Sequence, residues 1–232
     1  MKRERPVIAI DGPVGAGKST VARALARALG YSYLNTGAMY RAVAIAAREG
    51  GISPDDSDLP VRIVPVLDAI RIKFDGERIF LNDREVTAAI AEPEIGDLAS
   101  RFSALSIVRA RMRDLQRAAG KQGGVVMEGR DIGTAVFPDA EFKFYLDADV
   151  SVRAARRFAE LRAKGVATTH EEVLNQLIER DRRDRGRELA PLKQADDAIR
   201  IDSTAMTLEQ EVAAMKAEIG RRSKSAKPLK QS

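Results

Sequence analysis

The chain has 232 residues, of which 44% are hydrophobic and 31% charged, as is typical of a globular protein of one or two domains. It has no cysteine and one histidine, which excludes disulfides and cysteine-ligated metals and argues against a Ser-His-Asp triad. The net charge of +5 resides in residues 221–232, which contain five basic and no acidic side chains. We therefore predict a neutral body that binds no nucleic acid, and a disordered basic tail over residues 223–232. No stretch approaches 18 apolar residues, so we predict no membrane partner.

Strands and helices alternate along most of the chain. A β-branched strand at residues 7–10 leads through a glycine-rich turn into a helix at Lys18–Leu29. The other predicted elements, in chain order, are a strand at 31–35, a helix at 37–49, a hairpin of 70–74 with 78–81, a helix at 106–119, strands at 125–128 and 142–147, helices at 150–164 and 171–186, a strand at 198–202 and a helix at 207–221. The alternation predicts an α/β fold with a five-stranded parallel sheet flanked by helices.

The domain organisation follows from the one break in this alternation. We predict a single core over residues 1–222, with a small β-containing subdomain inserted at about 60–102 around the hairpin.

The segment 12–19 reads GPVGAGKS and matches the pattern G-x-x-x-x-G-K-[ST], between a predicted strand and a predicted helix. Glycines let backbone N–H groups turn toward phosphate oxygens, and the start of the helix adds a positive dipole end. In such a loop Lys18 contacts the β and γ phosphates and the Ser19 hydroxyl binds Mg²⁺. The segment predicts a nucleoside triphosphate site but leaves the acceptor open.

Arginine is used far more than lysine, with 28 against 11, and nine arginines lie between residues 150 and 190. Arg153, Arg156 and Arg157 share one face of a predicted helix. Arginine binds phosphate bidentately, so the region predicts a mobile lid over a triphosphate at about 150–190. A salt-bridged, solvent-exposed helix is the alternative.

Two further clusters follow predicted strands, at residues 36–41 and 128–131. Each has an arginine, Arg41 or Arg130, near the carboxyl end of a strand, where open α/β sheets bind ligands. These arginines could hold the phosphate of an acceptor; turn glycines beside surface charges are the alternative.

From about residue 7 to about 215 the sequence resembles the bacterial cytidylate kinases. The resemblance rests on DGP at 11–13, on residues 36–41, on GRDIGTAVFPDA at 129–140, and on residues 180–192 with Ala195-Asp196. It implies an enzyme that transfers the γ-phosphoryl group of ATP to CMP or dCMP with Mg²⁺. We expect a monomer, and the absence of cysteine and of a signal-peptide core predicts a cytoplasmic location. The inserted hairpin matches the family's own insert beside the acceptor site.

The resemblance also implies a role for each site residue. ATP would be held by Gly12, Pro13, Val14, Gly15, Ala16, Gly17, Lys18, Ser19, Thr20 and Arg156. The transferring phosphoryl group would be stabilised by Lys18, Arg153, Arg157 and Arg187. The acceptor phosphate would be held by Arg41, Arg130 and Arg187, the cytosine by Ser100, Arg109 and Asp131, and the sugar by Arg180 and Asp184. Thr36 belongs to the acceptor motif, Ser19 is the metal ligand, and a role for Glu128 toward the metal through water remains open.

Three other functions remain to be weighed. A P-loop kinase for UMP, AMP, dephospho-coenzyme A or shikimate would keep the chemistry and change the acceptor. A GTPase switch is disfavoured because the sequence has no N-K-x-D motif. An ATP-dependent nucleic-acid protein is disfavoured by the neutral body and by an aromatic content of 5%.

Overall fold

The computed structural model describes residues 3–225, and their side chains through residue 222. It contains eight strands and eight α-helices in this range. The strands are β1 (Val7–Asp11), β2 (Ser32–Asn35), β3 (Ile72–Asp75), β4 (Arg78–Leu81), β5 (Arg84–Glu85), β6 (Val125–Gly129), β7 (Phe142–Asp147) and β8 (Ile199–Asp202). The helices are α1 (Lys18–Leu29), α2 (Thr36–Glu49), α3 (Leu59–Ala69), α4 (Pro93–Phe102), α5 (Ser106–Gly120), α6 (Val150–Ala163), α7 (His170–Arg185) and α8 (Leu208–Ser225).

The main sheet has five strands in the order β2-β6-β1-β7-β8 and is parallel, as predicted. β1 is central and buried along its whole length, which suits its apolar sequence VIAID. Its last residue, Asp11, is in register with Gly129 of β6 and Tyr145 of β7. The turn that leaves β1 therefore starts at the middle of the carboxyl edge of the sheet, where parallel α/β sheets bind ligands.

The chain divides into two compact units. The first comprises Met1–Tyr33, Gln122–Gly186 and Ala190–Ser232, and the second comprises Leu34–Lys121 and Arg187–Leu189. In the first unit, Leu25 of α1, Phe144 of β7 and Met215 of α8 belong to one apolar core. In the second unit, β3, β4 and β5 form a small antiparallel sheet, so the predicted hairpin is confirmed.

Two helices of the second unit were not predicted, because proline obscures both. α3 has Pro60 in its first turn, where the missing N–H costs nothing, and Pro65 in its interior, where one hydrogen bond is lost. Burial of Leu59, Ile63 and Leu67, spaced four residues apart on one face, outweighs that loss. α4 likewise begins at Pro93.

The end of the chain differs in part from the prediction. α8 continues to Ser225, so residues 223–225, which we assigned to a disordered tail, are helical. The rest of that predicted tail, 226–232, lies outside the described residues. Among the described helices, none is both long and apolar enough to cross a membrane.

Candidate active site

The loop between β1 and α1 has the backbone of an anion-binding turn. Gly12 has φ +151°, and a Cβ at this position would lie 1.9 Å from the carbonyl oxygen of Leu146. Gly17, at φ 88°, is the N-cap of α1 and has no side chain that could bond the first N–H groups of the helix. Those donors and the positive end of the helix dipole are therefore available to an anion.

Lys18 is buried, with 5% of its surface exposed. Its Nζ donates a 2.5 Å hydrogen bond to the carbonyl oxygen of Pro13, at the start of the same loop. Burial lowers the pKa of Lys18 well below its usual value, and the positive charge of Arg130 lowers it further. A phosphate bound in the loop would stabilise the ammonium, since an opposite charge favours the charged form.

Beside the loop, Tyr33 of β2 is hydrogen-bonded to Glu128 of β6. The Tyr33 hydroxyl donates to Oε1 of Glu128, which is buried in β6. Burial, and then the charge of Glu128, raise the pKa of Tyr33, so the phenol stays neutral at physiological pH. Sequence reasoning missed Tyr33 because no motif contains it.

Asp11 organises the turn that follows β6. Its buried carboxylate accepts hydrogen bonds from the backbone N–H groups of Ile132 (2.8 Å) and Gly133 (2.7 Å). Burial raises the pKa of Asp11 to about 7, against the opposing effect of these two bonds. The turn that they hold, Ile132–Val136, is π-helical and directly follows Asp131, which is 5% exposed.

The oxygen donors of the first unit suit Mg²⁺. The Ser19 hydroxyl and the carboxylates of Asp11 and Glu128 are hard ligands of the kind that Mg²⁺ prefers. Within the described residues no three acidic or histidine side chains form a metal-binding cluster.

The three arginines predicted on one face of α6 have different contacts. Arg153 is 4% exposed; its Nη1 lies 2.7 Å from a carboxylate oxygen of Asp181 and donates to the carbonyl oxygen of Val14 at 2.9 Å. Arg156 donates to the carbonyl oxygen of Ser203 at 2.8 Å. Arg157 pairs with Glu160 at 2.9 Å. The Arg153 side chain thus contacts the phosphate loop at the backbone carbonyl of Val14.

Arg130 and Asp184 form a partly buried ion pair of 3.1 Å in the first unit. Asp184 is 1% exposed, and its carbonyl oxygen accepts from the backbone N–H of Leu192 at 2.8 Å. Arg130 and Arg180 both act electrostatically on Lys18. The first unit therefore gathers three predicted cations around the phosphate loop.

The second unit holds the other predicted acceptor residues. Thr36 is buried at the start of α2. Arg41 donates to the carbonyl oxygen of Ile90, and its Nη2 lies 3.1 Å from where a Cβ on Gly96 would be. A side chain at position 96 would therefore crowd this guanidinium.

Ser100 and Arg109 are both buried in the second unit, and Arg187 also belongs to this unit. The Ser100 hydroxyl has no hydrogen-bond partner among the described residues. The Arg109 guanidinium donates to the carbonyl oxygen of Ser103 at 3.1 Å and lies 5.9 Å from the centre of the Tyr40 ring. Because a buried unpaired hydroxyl is costly, Ser100 marks a position suited to a polar ligand atom.

A glycine-rich phosphate loop with a buried lysine, at the carboxyl edge of a five-stranded parallel sheet, defines a P-loop nucleotide-binding protein. A shikimate kinase from Bacteroides thetaiotaomicron shares the fold, with a TM-score of 0.50 and 12% identity over 93% of this chain and 98% of that one. The chain belongs to the cytidylate kinase family, whose profile matches residues 8–221. The cytidylate kinase of Citrifermentans bemidjiense is 47% identical over 93% of each chain, and that of Geobacter sp. (strain M21) is 49% identical over 88% of each chain.

Proposed function

We propose that this chain transfers the γ-phosphoryl group of ATP to CMP or dCMP, giving ADP and CDP or dCDP. The observation that carries the proposal is a complete phosphate loop with a buried Lys18, in a chain that matches the cytidylate kinase family over residues 8–221. The family match selects the acceptor, which the loop alone leaves open.

On the ATP side, residues 12–20 hold the triphosphate, and Lys18 contacts the transferring group. Mg²⁺, held by the Ser19 hydroxyl, would neutralise charge on the β and γ phosphates. Arg156 is assigned to the polyphosphate, and Arg157 and Arg187 to the transferring phosphoryl group. For Arg153, the contacts with Val14 and Asp181 favour a role in positioning the loop.

On the acceptor side, Arg41, Arg130 and Arg187 bind the phosphate of CMP. Ser100, Arg109 and Asp131 recognise the cytosine, and the unpaired hydroxyl of Ser100 supports this assignment. Arg180 and Asp184 contact the sugar, and Thr36 lies at the start of the acceptor motif.

The base assignment follows hydrogen-bond chemistry. Cytosine offers an N4 donor and acceptors at N3 and O2, so an aspartate can accept from N4 while an arginine donates to the acceptors. Uracil has O4 in place of the amino group and would face the Asp131 carboxylate with a second acceptor. A mismatch of this kind discriminates strongly because it leaves buried polar groups unpaired.

Phosphoryl transfer here needs positioning and charge more than proton transfer. An oxygen of the CMP phosphate is already a nucleophile, so no general base is required. The lid at about 150–190 would close over the triphosphate and exclude water, which would otherwise accept the phosphoryl group.

The test is an acceptor panel. ADP release from ATP and Mg²⁺ is followed by a coupled spectrophotometric assay with CMP, dCMP, UMP, AMP, GMP and no acceptor. We expect strong turnover with CMP and dCMP only. Turnover with another acceptor would overturn the assignment of Ser100, Arg109 and Asp131, and no stimulation by any nucleotide would overturn the proposed reaction.

We further propose that the enzyme is a cytoplasmic monomer and acts on nucleotides rather than nucleic acid. The absence of cysteine supports the compartment, and the charge balance outside residues 221–232 argues against a nucleic-acid groove. Light scattering after gel filtration tests whether the enzyme is a monomer, and cell fractionation tests whether it is cytoplasmic. A binding assay with single-stranded and duplex DNA tests whether it binds nucleic acid.

A further inference from the structure

The peptide unit that follows Asp131 is hydrogen-bonded at both of its polar groups. Its carbonyl oxygen accepts from the backbone N–H groups of Ala135 at 2.9 Å and Val136 at 3.2 Å. Its N–H, which belongs to Ile132, donates to Oδ1 of Asp11 at 2.8 Å. The backbone on the carboxyl side of Asp131 is therefore fixed in one orientation.

Asp11 holds this turn with both of its carboxylate oxygens. Oδ2 accepts from the N–H of Gly133 at 2.7 Å, beside the bond from Ile132 to Oδ1. The Asp11 side chain is buried, and a Cβ on Gly133 would lie 3.4 Å from Oδ2 and 3.1 Å from Cδ of Lys143. The turn is thus packed between two buried side chains, and two bonds to one carboxylate set its direction as well as its position.

We propose that Asp11 is a positioning residue for recognition of the acceptor base, and that it acts through Asp131. Asp131 directly precedes the two N–H groups that Asp11 binds. Discrimination between two bases by hydrogen bonds requires that the recognising carboxylate cannot move away from the wrong base, so the turn that carries it must be rigid. The inference rests on the proposed function in one respect, the assignment of Asp131 to cytosine.

Two other roles for Asp11 lead to different expectations. As a support for the phosphate loop, which begins at the next residue, Asp11 would affect turnover with every acceptor alike. As a ligand of Mg²⁺, it would change the concentration of Mg²⁺ needed for half-maximal turnover. A residue that acts through Asp131 changes the preference for CMP over UMP.

The decisive variant is Asp11→Asn, which keeps the shape of the side chain and replaces one acceptor oxygen with an NH₂ group. The ratio of kcat/KM for CMP over UMP is measured at pH 8 with saturating ATP, and turnover of CMP is measured against Mg²⁺ concentration. We expect the ratio to fall about tenfold, as for one lost hydrogen bond to a charged group, with the Mg²⁺ requirement unchanged. The fall should be smaller than that for Asp131→Asn, because Asp11 acts indirectly.

Asp147→Asn is the matched control. Asp147 is the last residue of β7, as Asp11 is the last residue of β1, and its Oδ1 also accepts from a backbone N–H, that of Ala148 at 2.9 Å. The same exchange of atoms is therefore made at the end of the neighbouring strand, at a bond that does not hold the turn after Asp131. The ratio should not change in this variant.

A double-mutant cycle tests whether Asp11 acts through Asp131. In an Asp131→Asn background, Asp11→Asn should cause no further fall in the ratio. An unchanged ratio in Asp11→Asn, an effect additive with that of Asp131→Asn, or an equal loss of turnover with CMP and UMP would overturn the inference.

Circular dichroism checks folding, and Gly133→Ala, which crowds the same contact from the turn, repeats the measurement if Asp11→Asn does not fold. Asp131→Asn alone keeps the two proposals distinguishable. If it leaves the ratio unchanged, the assignment of Asp131 to cytosine fails and the inference fails with it. If it lowers the ratio and Asp11→Asn does not, only the inference fails.

Discussion

Nη1 of Arg153 donates a 2.9 Å hydrogen bond to the carbonyl oxygen of Val14, inside the phosphate loop. The same nitrogen lies 2.7 Å from the carboxylate of Asp181 in α7. Arg153 also packs against the loop, since a Cβ on Gly15 would lie 3.2 Å from that of Arg153. The backbone of the loop is thus hydrogen-bonded to Arg153 of α6 and linked through Arg153 to α7. A movement of these helices would therefore shift Val14.

The ion pair between Arg153 and Asp181 should make Asp181 important for stability. Asp181→Ala leaves the Arg153 guanidinium buried without its counter-charge, and we expect a loss of about 3–5 kcal/mol in the free energy of unfolding. Urea denaturation measures it. Glu179→Gln, which disrupts the exposed pair with Arg182 in the same helix, is the control and should leave stability nearly unchanged. Equal effects of the two variants would contradict the buried pair.

Lys18 should be essential for turnover. We expect Lys18→Met to lower kcat/KM by about a thousandfold or more, because the transferring group loses its nearest cation. The coupled ADP assay measures this, and circular dichroism reports on the fold.

The chain supplies a matched control for Lys18. Lys143 is also buried, and its Nζ donates at 2.5 Å to the carbonyl oxygen of Pro138, also five residues earlier. It lies outside the phosphate loop, so Lys143→Met should lower stability and largely preserve turnover. A comparable loss of turnover in both variants would point to a general effect of removing a buried lysine.

The phosphate loop and the five-stranded sheet could be predicted from the sequence because both produce patterns among neighbouring residues. The helices α3 and α4 could not be predicted, because Pro60, Pro65 and Pro93 argue against helices there. Burial of apolar residues on these helices outweighs the effect of the prolines. The Tyr33 contact depends on the pairing of residues 95 positions apart, to which no motif points. The roles assigned to the acceptor residues rest on resemblance; the acceptor panel and Asp131→Asn test the assignment to the cytosine.

Asp131 should determine the choice between cytosine and uracil. Asp131→Asn replaces a carboxylate oxygen with an amide N–H, which can donate to O4 of uracil. We expect the ratio of kcat/KM for CMP over UMP to fall by about a hundredfold or more. Asp139→Asn, at an exposed aspartate, is the control. An unchanged ratio would remove Asp131 from base recognition.

Glu211 of α8 should make stability depend on pH. Burial raises its pKa from 4.5 to about 6, while the nearby Arg156 acts in the opposite direction. The folded state therefore holds the proton more tightly than the unfolded state, and the stability that this gives is lost as pH rises from about 4.5 to about 6. Above that range the buried Glu211 carboxylate is ionised, which lowers the free energy of unfolding.

Glu211→Gln cannot ionise, so its stability relative to the wild type should increase with pH across this window and then level off. Urea denaturation at several pH values between 4 and 8 measures the difference. Glu209→Gln is the control of opposite sign, because hydrogen bonds to its own backbone N–H and to Thr207 lower the pKa of the exposed Glu209. Its stability relative to the wild type should decrease as pH rises through the titration of Glu209. A pH profile for Glu211→Gln parallel to that of the wild type would show that residue 211 does not titrate abnormally.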